Sequence, residues 1–213
     1  MSIGFRSAAC LLLALAGSTS TARAQQAGDL ASLARARADS LRLPHTAADV
    51  HFMTAMIGHH AQAIVMADLA VTNGATGAVA VLAARIRSSQ DDEIATMQQW
   101  LRDRGQPVPD AHAAAHDHAM EHGTALMPGM LSDTQLRELA SARGVAFERR
   151  FLRFMIQHHA GATEMVRQLF ASPGAAEDER VFKFASDVNV DQTTEIARME
   201  RMLAALPPDR AAP

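Results

Sequence analysis

Two pairs of adjacent histidines are the residues of this chain best suited to chemistry. His59-His60 and His158-His159 stand 99 residues apart, and each pair ends the pattern Met-Ile-x-His-His. On a helix, Met56 and His60 share a face because they are four residues apart. Imidazole nitrogen and thioether sulfur, without cysteine, favour copper over magnesium or calcium, and over zinc less decisively. The motif therefore predicts a metal site, and copper is the expected ion.

The surroundings of the histidine pairs are also repeated, which indicates an internal duplication. The matches at the same offset include Phe52 with Phe151, Met66 with Met165, and the carboxylates Asp49 and Glu148. A second block, Gln-x-x-Glu-Ile-x-x-Met, occurs at 90–97 and recurs at 192–199. A buried carboxylate needs a partner, so Glu93 and Glu195 are expected either to orient the histidines of the neighbouring helix or to make structural hydrogen bonds between helices.

A third candidate lies between the two copies, where four histidines fall within eleven residues. They are His112, His116, His118 and His122, and Met127 and Met130 follow them. Spacing of i,i+4 within this run could chelate one ion if the segment is helical. A flexible segment could still gather metal by local concentration, and a solvated polar loop is the alternative.

The whole set of predicted metal ligands combines these clusters. Its members are Met53, Met56, His59, His60, Met66, His112, His116, His118, His122, Met127, Met130, Met155, His158, His159 and Met165. Adjacent histidines on a helix point about 100° apart, so at most one of each pair is expected to face deep into the core. A core site spanning both repeats requires His60 and His159 to converge with Met56 and Met155. The alternative is that methionine fills the core and histidine is packed or exposed.

Helical periodicity runs through all four repeated segments. The predicted helices begin after the capping box of Thr46 with Asp49, and again at Ser132 with Gln135. Their expected ranges are 46–73, 77–104, 132–144 (short), 145–172 and 177–206. Two similar helical hairpins dock most simply as a four-helix bundle with a pseudo-two-fold axis. The predicted fold is therefore all-α, a bundle of two repeated hairpins joined by a long His- and Met-rich connection.

The N-terminus has the pattern of a secretory signal peptide. Residues 1–24 contain Arg6, an apolar stretch of about nine residues, and the small-x-small site Ala22-Arg23-Ala24. Cleavage before Gln25 would remove Cys10, the sole cysteine, and would change the net charge from −3 to −5. The mature chain would have no disulfide or thiolate chemistry, would not insert into the membrane, and would not attract nucleic acid.

The expected organisation follows from these features. The predicted divisions are a signal peptide at 1–24, a helical or flexible extension at 25–44, and a duplicated domain at 45–206, which comprises hairpin one (45–104), a His-rich linker (105–131) and hairpin two with its short helix (132–206).

Three of these motifs together resemble the domain-of-unknown-function family 305. They are the duplicated Phe-x-x-x-Met-Ile-x-His-His, the Met-Pro-Gly-Met-Leu run at 127–131, and the two Gln-x-x-Glu-Ile-x-x-Met blocks. The resemblance implies an exported, ferritin-like bundle and copper binding through Met and His, as in periplasmic copper-tolerance proteins. The positions that match the family are Met56, His59, His60, Met66, Met127, Met130, Met155, His158, His159 and Met165.

The sequence departs from the family pattern at several positions. Gly58 and Gln157 stand where proline is common, and Gly161 of the second copy replaces Gln62 of the first. Thr163 and Glu164 likewise replace two apolar residues of the first copy, Ile64 and Val65. These differences leave open whether both copies bind metal equally.

These observations favour a periplasmic or secreted protein that sequesters or passes copper without catalytic turnover. Its expected partners are a metal ion and another copper-handling protein, and the oligomeric state is left open. A structural or partner-binding bundle without metal is the main alternative, and a metal-dependent oxidoreductase is a weaker one. Ferritin-like di-iron sites use Glu-x-x-His, and no glutamate here has a histidine three residues later.

Overall fold

The computed structural model describes residues 45–111 and 126–207, together with residues 23, 25–32 and 35 of the N-terminal region. The chain divides into two compact units, Met1–Leu43 and Pro44–Pro213. In the first unit, residues 25–32 are helical. The predicted signal peptide, apart from residue 23, and the four linker histidines at 112–122 lie outside the described residues.

The second unit is built from helices, as predicted, and no strand occurs in its described part. The helices are α1 (Ala47–Thr72), α2 (Gly77–Asp103), α3 (Asp133–Ser141), α4 (Gly144–Ala171) and α5 (Glu179–Ala205). None of the described helices is both long and apolar enough to cross a membrane.

Side-chain caps form at three of the five helix starts in the second unit, those of α1, α3 and α5. The predicted capping boxes of Thr46 with Asp49 and of Ser132 with Gln135 are both present. The expected end of the short helix was wrong, because α3 stops at Ser141 and Gly144 opens α4 with a φ of +53°. The last helix starts slightly later than expected, because the Asp178 carboxylate accepts hydrogen bonds from the first turn of α5.

The packing of the long helices creates two apolar clusters. Helix α1 packs against α2, α4 packs against α5, and α1 packs against α4. In the first cluster, the first halves of α1 and α5 meet the second halves of α2 and α4. In the second cluster, the second halves of α1 and α5 meet the first halves of α2 and α4. This exchange of halves means that α1 runs antiparallel to both α2 and α4.

The repeated carboxylates Asp49 and Glu148 connect the two helical pairs. Asp49 accepts a hydrogen bond from the backbone N–H of Ala176, in the turn between α4 and α5, at 2.7 Å. Glu148 accepts one from the backbone N–H of Thr76, in the turn between α1 and α2, also at 2.7 Å. Both carboxylates are buried. Each helical pair therefore supplies a buried carboxylate that binds the turn of the other helical pair.

Candidate metal centre

The four motif histidines form a buried polar layer between the two apolar clusters. The relative exposure of His59, His60 and His159 is 0%, and that of His158 is 1%. The expectation that only one of each pair could face inward was wrong. The two rings do diverge, but α1 is covered by α2 on one side and by α4 on another, so both directions lead into the core. The same holds for α4, which packs against α1 and α5.

The contact between the repeats is made by the first histidine of each pair. The ring centroids of His59 and His158 are 3.9 Å apart, with the ring planes inclined by 38°. A core site spanning both repeats requires His60 and His159 to converge, but each of them faces the second helix of its own pair. The first histidine of each motif is thus the one that meets its counterpart from the other copy.

His60 and His159 are each anchored by a carboxylate. His60 Nε2 lies 2.6 Å from Glu93 Oε2, and His159 Nε2 lies 2.8 Å from Glu195 Oε2. This confirms the expectation that the repeated glutamates meet histidines of the neighbouring helix. A carboxylate accepts, so Nε2 carries the proton and a neutral ring has its lone pair on Nδ1. Within the described part of the chain, neither Nδ1 atom has a hydrogen-bond partner.

His158 differs from the other three histidines of the layer in its hydrogen bonding. Neither of its ring nitrogens has a hydrogen-bond partner among the residues that the structure describes. Burial strongly lowers the pKa of His158 below its ordinary value, and the neighbouring His59, His159 and His60 lower it further. A buried ring without a counter-charge cannot hold a proton well, so His158 is neutral and its lone pair is available.

A short segment crosses one side of the layer. We call residues 127–131 the strap; its Pro128 carbonyl oxygen accepts a hydrogen bond from His59 Nε2 at 3.0 Å. Gln62 pairs with both backbone groups of Leu131, at 3.0 Å and 2.7 Å. The sequence analysis did not predict the role of the strap. The difference between Gln62 in the first copy and Gly161 in the second was the sequence feature that could have indicated it.

Carboxylates line the outer edge of the layer. The side chains of Glu93 and Glu195 are 21% and 14% exposed, so each joins a buried histidine to the surface. Partial burial raises the pKa of Asp191, and the charges of Glu93, Glu195 and Asp187 raise it further. The accumulated negative charge at this edge favours the approach of a cation.

The predicted methionine ligands lie on both sides of the layer. Met53, Met56 and Met165 belong to the first apolar cluster, and Met66 and Met155 belong to the second. In the strap, Met130 is buried and Met127 packs against the first cluster. The thioethers of the two copies are thus placed symmetrically, above and below the histidines.

The layer is not closed around an ion position. No group of three His, Cys, Asp or Glu side chains among the described residues is arranged to hold a metal. The rings of His59 and His158 are in contact, with centroids 3.9 Å apart and planes inclined by 38°. Binding within the layer would therefore require these side chains to rearrange, or a thioether to complete the ligand set.

The fold and the site together define an all-helical protein with a duplicated, carboxylate-anchored layer of buried histidines. The model of the family described as "Domain of unknown function (DUF305)" matches residues 49–203. The chain belongs to the DUF305 family. No functionally curated protein matches it significantly.

Solved structures agree with this assignment. A DUF305 fragment from Deinococcus radiodurans is 31% identical, with a TM-score of 0.64, and the match covers 77% of this chain and all of that one. A DUF305 protein from Streptomyces coelicolor, provisionally described as secreted, is 26% identical, with a TM-score of 0.60 and coverage of 74% and 92%. CopM in its Cu(II)-bound form is 29% identical, with a TM-score of 0.57 and coverage of 73% and 95%.

Proposed function

We propose that this protein is an exported copper-binding protein that stores or passes the ion without catalytic turnover. In this proposal the chain is a ferritin-like four-helix bundle of two hairpins, its leader is removed before Gln25, and it acts in the periplasm or after secretion. The observation that carries the proposal is the buried layer of four histidines, in which carboxylates orient two rings with Nδ1 directed away from the carboxylate.

This arrangement suits a metal because ligating histidines usually donate their second ring nitrogen to a carboxylate or carbonyl. The proposed ligands form two halves, one in each histidine pair: His59 with Nδ1 of His60, and Nδ1 of His159 with a nitrogen of His158. Buried polar atoms without partners are costly, about 1–3 kcal/mol each, and are expected where a function retains them. Metal binding would give a partner to Nδ1 of His60, Nδ1 of His159 and the nitrogens of His158, which have no hydrogen-bond partner among the described residues.

Copper is favoured over harder ions by the surrounding side chains. Methionine sulfur lies in both clusters beside the layer, and Cys10 would leave with the signal peptide, so thioether and imidazole are the soft donors available. Such donors suit Cu(I), and imidazole suits Cu(II) as well. CopM, which is 27–29% identical to this chain, has been solved with Cu(II), Cu(I) and silver.

The proposal also assigns a role in collecting copper to the linker histidines, which are His112, His116, His118 and His122. Imidazoles there would bind copper at neutral pH and release it below about pH 6, when they take up protons. A second copper-handling protein is the proposed partner for delivery or removal of the ion.

A metal-free structural bundle is the alternative, and one observation favours it. His60 and His159 already have strong partners in Glu93 and Glu195, and polar contacts of this kind can fix how helices align. On this alternative, the methionines only fill the core and the histidine layer sets the register of the two pairs.

A metal titration of the chain from Gln25 separates the two functions. Cu(I) under reducing conditions, Cu(II) and Zn(II) are titrated into the wild type, into a double variant His158→Gln and His159→Gln, and into a variant with all four linker histidines changed to Ala. His51→Gln is the matched control because His51 is an exposed histidine on α1.

We expect tight, stoichiometric Cu(I) binding that the double variant weakens and the control retains. Loss in the linker variant alone would move the site to the linker. Binding no tighter than that of a histidine-rich peptide, in every variant, would reject the copper proposal in favour of the structural bundle. Thermal unfolding of each variant shows whether a loss of binding reflects a loss of fold.

A further inference from the structure

We propose that the strap is a positioning element that holds His59 with its proton on Nε2 and makes the two histidine pairs unequal metal-binding halves. Gln62 and Gly161 are the residues that place the strap. The metal-binding part of this inference rests on the proposed function, whereas the positioning part concerns the metal-free protein.

The hydrogen bond from His59 to the strap determines where the proton lies. The Pro128 carbonyl oxygen can only accept, so His59 Nε2, 3.0 Å away, must donate. A neutral His59 can therefore present only Nδ1 to an ion. The equivalent ring of the second copy, His158, has no such contact among the described residues. His59 is thus held in one tautomer and one orientation, whereas the strap fixes neither for His158.

Gln62 fixes the strap to α1, one helical turn beyond His59. Its side-chain amide donates to the Leu131 carbonyl at 3.0 Å and accepts from the Leu131 N–H at 2.7 Å, in a buried setting. Gln157 adds longer contacts from the exposed side, to the carbonyls of Gly129 at 3.3 Å and Met130 at 3.5 Å. Gln62 therefore makes the stronger connection.

Gly161 provides the space that the strap occupies. A Cβ at position 161 would lie 2.6 Å from the Cα of Gly129 and would overlap the Pro128 carbonyl group. These are backbone atoms, which cannot rotate away as a side chain could. Gln62 and Gly161 occupy the same position of the repeat, 99 residues apart. In the first copy this position binds the strap through the Gln62 side chain, and in the second copy the absence of a side chain leaves space for the strap.

Two variants release the strap in independent ways. Gly161→Ala adds one methyl group where the strap lies, and alanine is otherwise favourable in a helix. Gln62→Met keeps nearly the same volume but removes both hydrogen bonds to Leu131. Thr163→Ala is the control, because Thr163 lies on α4 near Gly161 and hydrogen-bonds only within its own helix, to the Ala160 carbonyl.

The first readout is made without metal. Long-range proton–nitrogen NMR of the imidazoles should show His59 of the wild type as a single Nε2–H tautomer with a slowly exchanging proton. We expect both release variants to lose that protection while His60 keeps its own signal, and Thr163→Ala to match the wild type. Unchanged His59 signals in two folded release variants would overturn the positioning role.

The second readout is the affinity for Cu(I), measured by competition with a chelating probe. Losing a partner that orients a metal ligand usually costs 10–100-fold in affinity, so we expect both release variants to bind about tenfold more weakly. Altered His59 signals with unchanged affinity would overturn the claim that the strap makes the halves unequal. If the release variants show altered His59 signals but the wild type binds no copper, the proposed function is rejected and the positioning role is retained.

Discussion

Among the described residues, Nδ1 of His60, Nδ1 of His159 and both ring nitrogens of His158 are buried without a hydrogen-bond partner. A hydrogen bond donated to Glu93 or Glu195 satisfies one nitrogen of His60 or His159, and burial keeps His158 neutral. A neutral ring can donate a lone pair to a metal, whereas an imidazolium cannot. At the scale of the residue, the copper-binding proposal therefore depends on imidazole rings that stay neutral.

The carboxylate anchors give the first prediction. Glu93→Gln and Glu195→Gln, separately, should weaken Cu(I) binding by about tenfold, because the ring keeps a neighbour but loses the charge that raises its basicity. Competition titration measures the change. Glu164→Gln is the control, since Glu164 is paired with Arg167 on the surface of α4. Equal affinities in all three variants would contradict a site in the layer.

The depressed pKa of His158 gives a second prediction, on stability. The unfolded chain takes up a proton near the ordinary pKa of 6.5, and the folded chain resists it. The free energy of unfolding of the metal-free protein should thus be highest above pH 6.5. Below pH 6.5 it should fall by up to about 1.4 kcal/mol per pH unit.

Urea unfolding at several pH values between 5.5 and 7.5 measures this dependence. His158→Gln should flatten it by the contribution of one proton, whereas His51→Gln, an exposed site, should leave it as in the wild type. The same slope in wild type and His158→Gln would place the proton uptake elsewhere.

Helix ends and turns, rather than helix propensity alone, align the elements that carry the histidines. The capping box of Asp49 fixes the start of α1, and its second oxygen reaches the turn before α5. Glu148 does the same for the turn before α2. The histidines lie about three turns further along α1 and α4. These contacts therefore help to set the position of each histidine along its helix relative to the other pair.

The carboxylate at the start of α1 gives the third prediction. Asp49→Ala should lower the free energy of unfolding by about 2–3 kcal/mol, because it removes a helix cap and leaves the buried N–H of Ala176 without its acceptor. Asp68→Ala should change it by less than about 1 kcal/mol, since Asp68 is half exposed and pairs with Arg87 at the surface. Chemical denaturation compares the two, and similar losses would contradict the structural role of Asp49.

The whole molecule consists of two units, and the duplicated motifs all lie in the second. The family match, at residues 49–203, falls within this unit as well. Its two apolar clusters and the polar layer between them draw on all four long helices. The histidine layer therefore exists only when both helical pairs are docked.

Truncation gives the fourth prediction. A chain that begins at Pro44 should fold and unfold cooperatively, with a midpoint within about 2 °C of the chain from Gln25, because the second unit has its own core. Circular dichroism during heating checks this result. A large loss of stability would show that the N-terminal unit contributes to the core.

The sequence alone determined the features that depend on neighbours along the chain. The repeated motif identified the duplication, and the Thr46 and Ser132 caps located two helix starts. The pairing of Glu93 and Glu195 with histidines was also predictable, because helices joined by a short turn must pack together and a buried carboxylate needs a partner.

Only the tertiary structure decided how the two copies meet. The docking of α1 on α4 buried all four histidines and brought His59, rather than His60, into contact with the second copy. It also placed the strap against Gly161. Spacing along one helix fixes which residues share a face, but not which neighbouring helix covers that face. The rotation and height of two docked pairs depend on all their side chains together, and so the unequal halves of the layer could not be derived from either repeat alone.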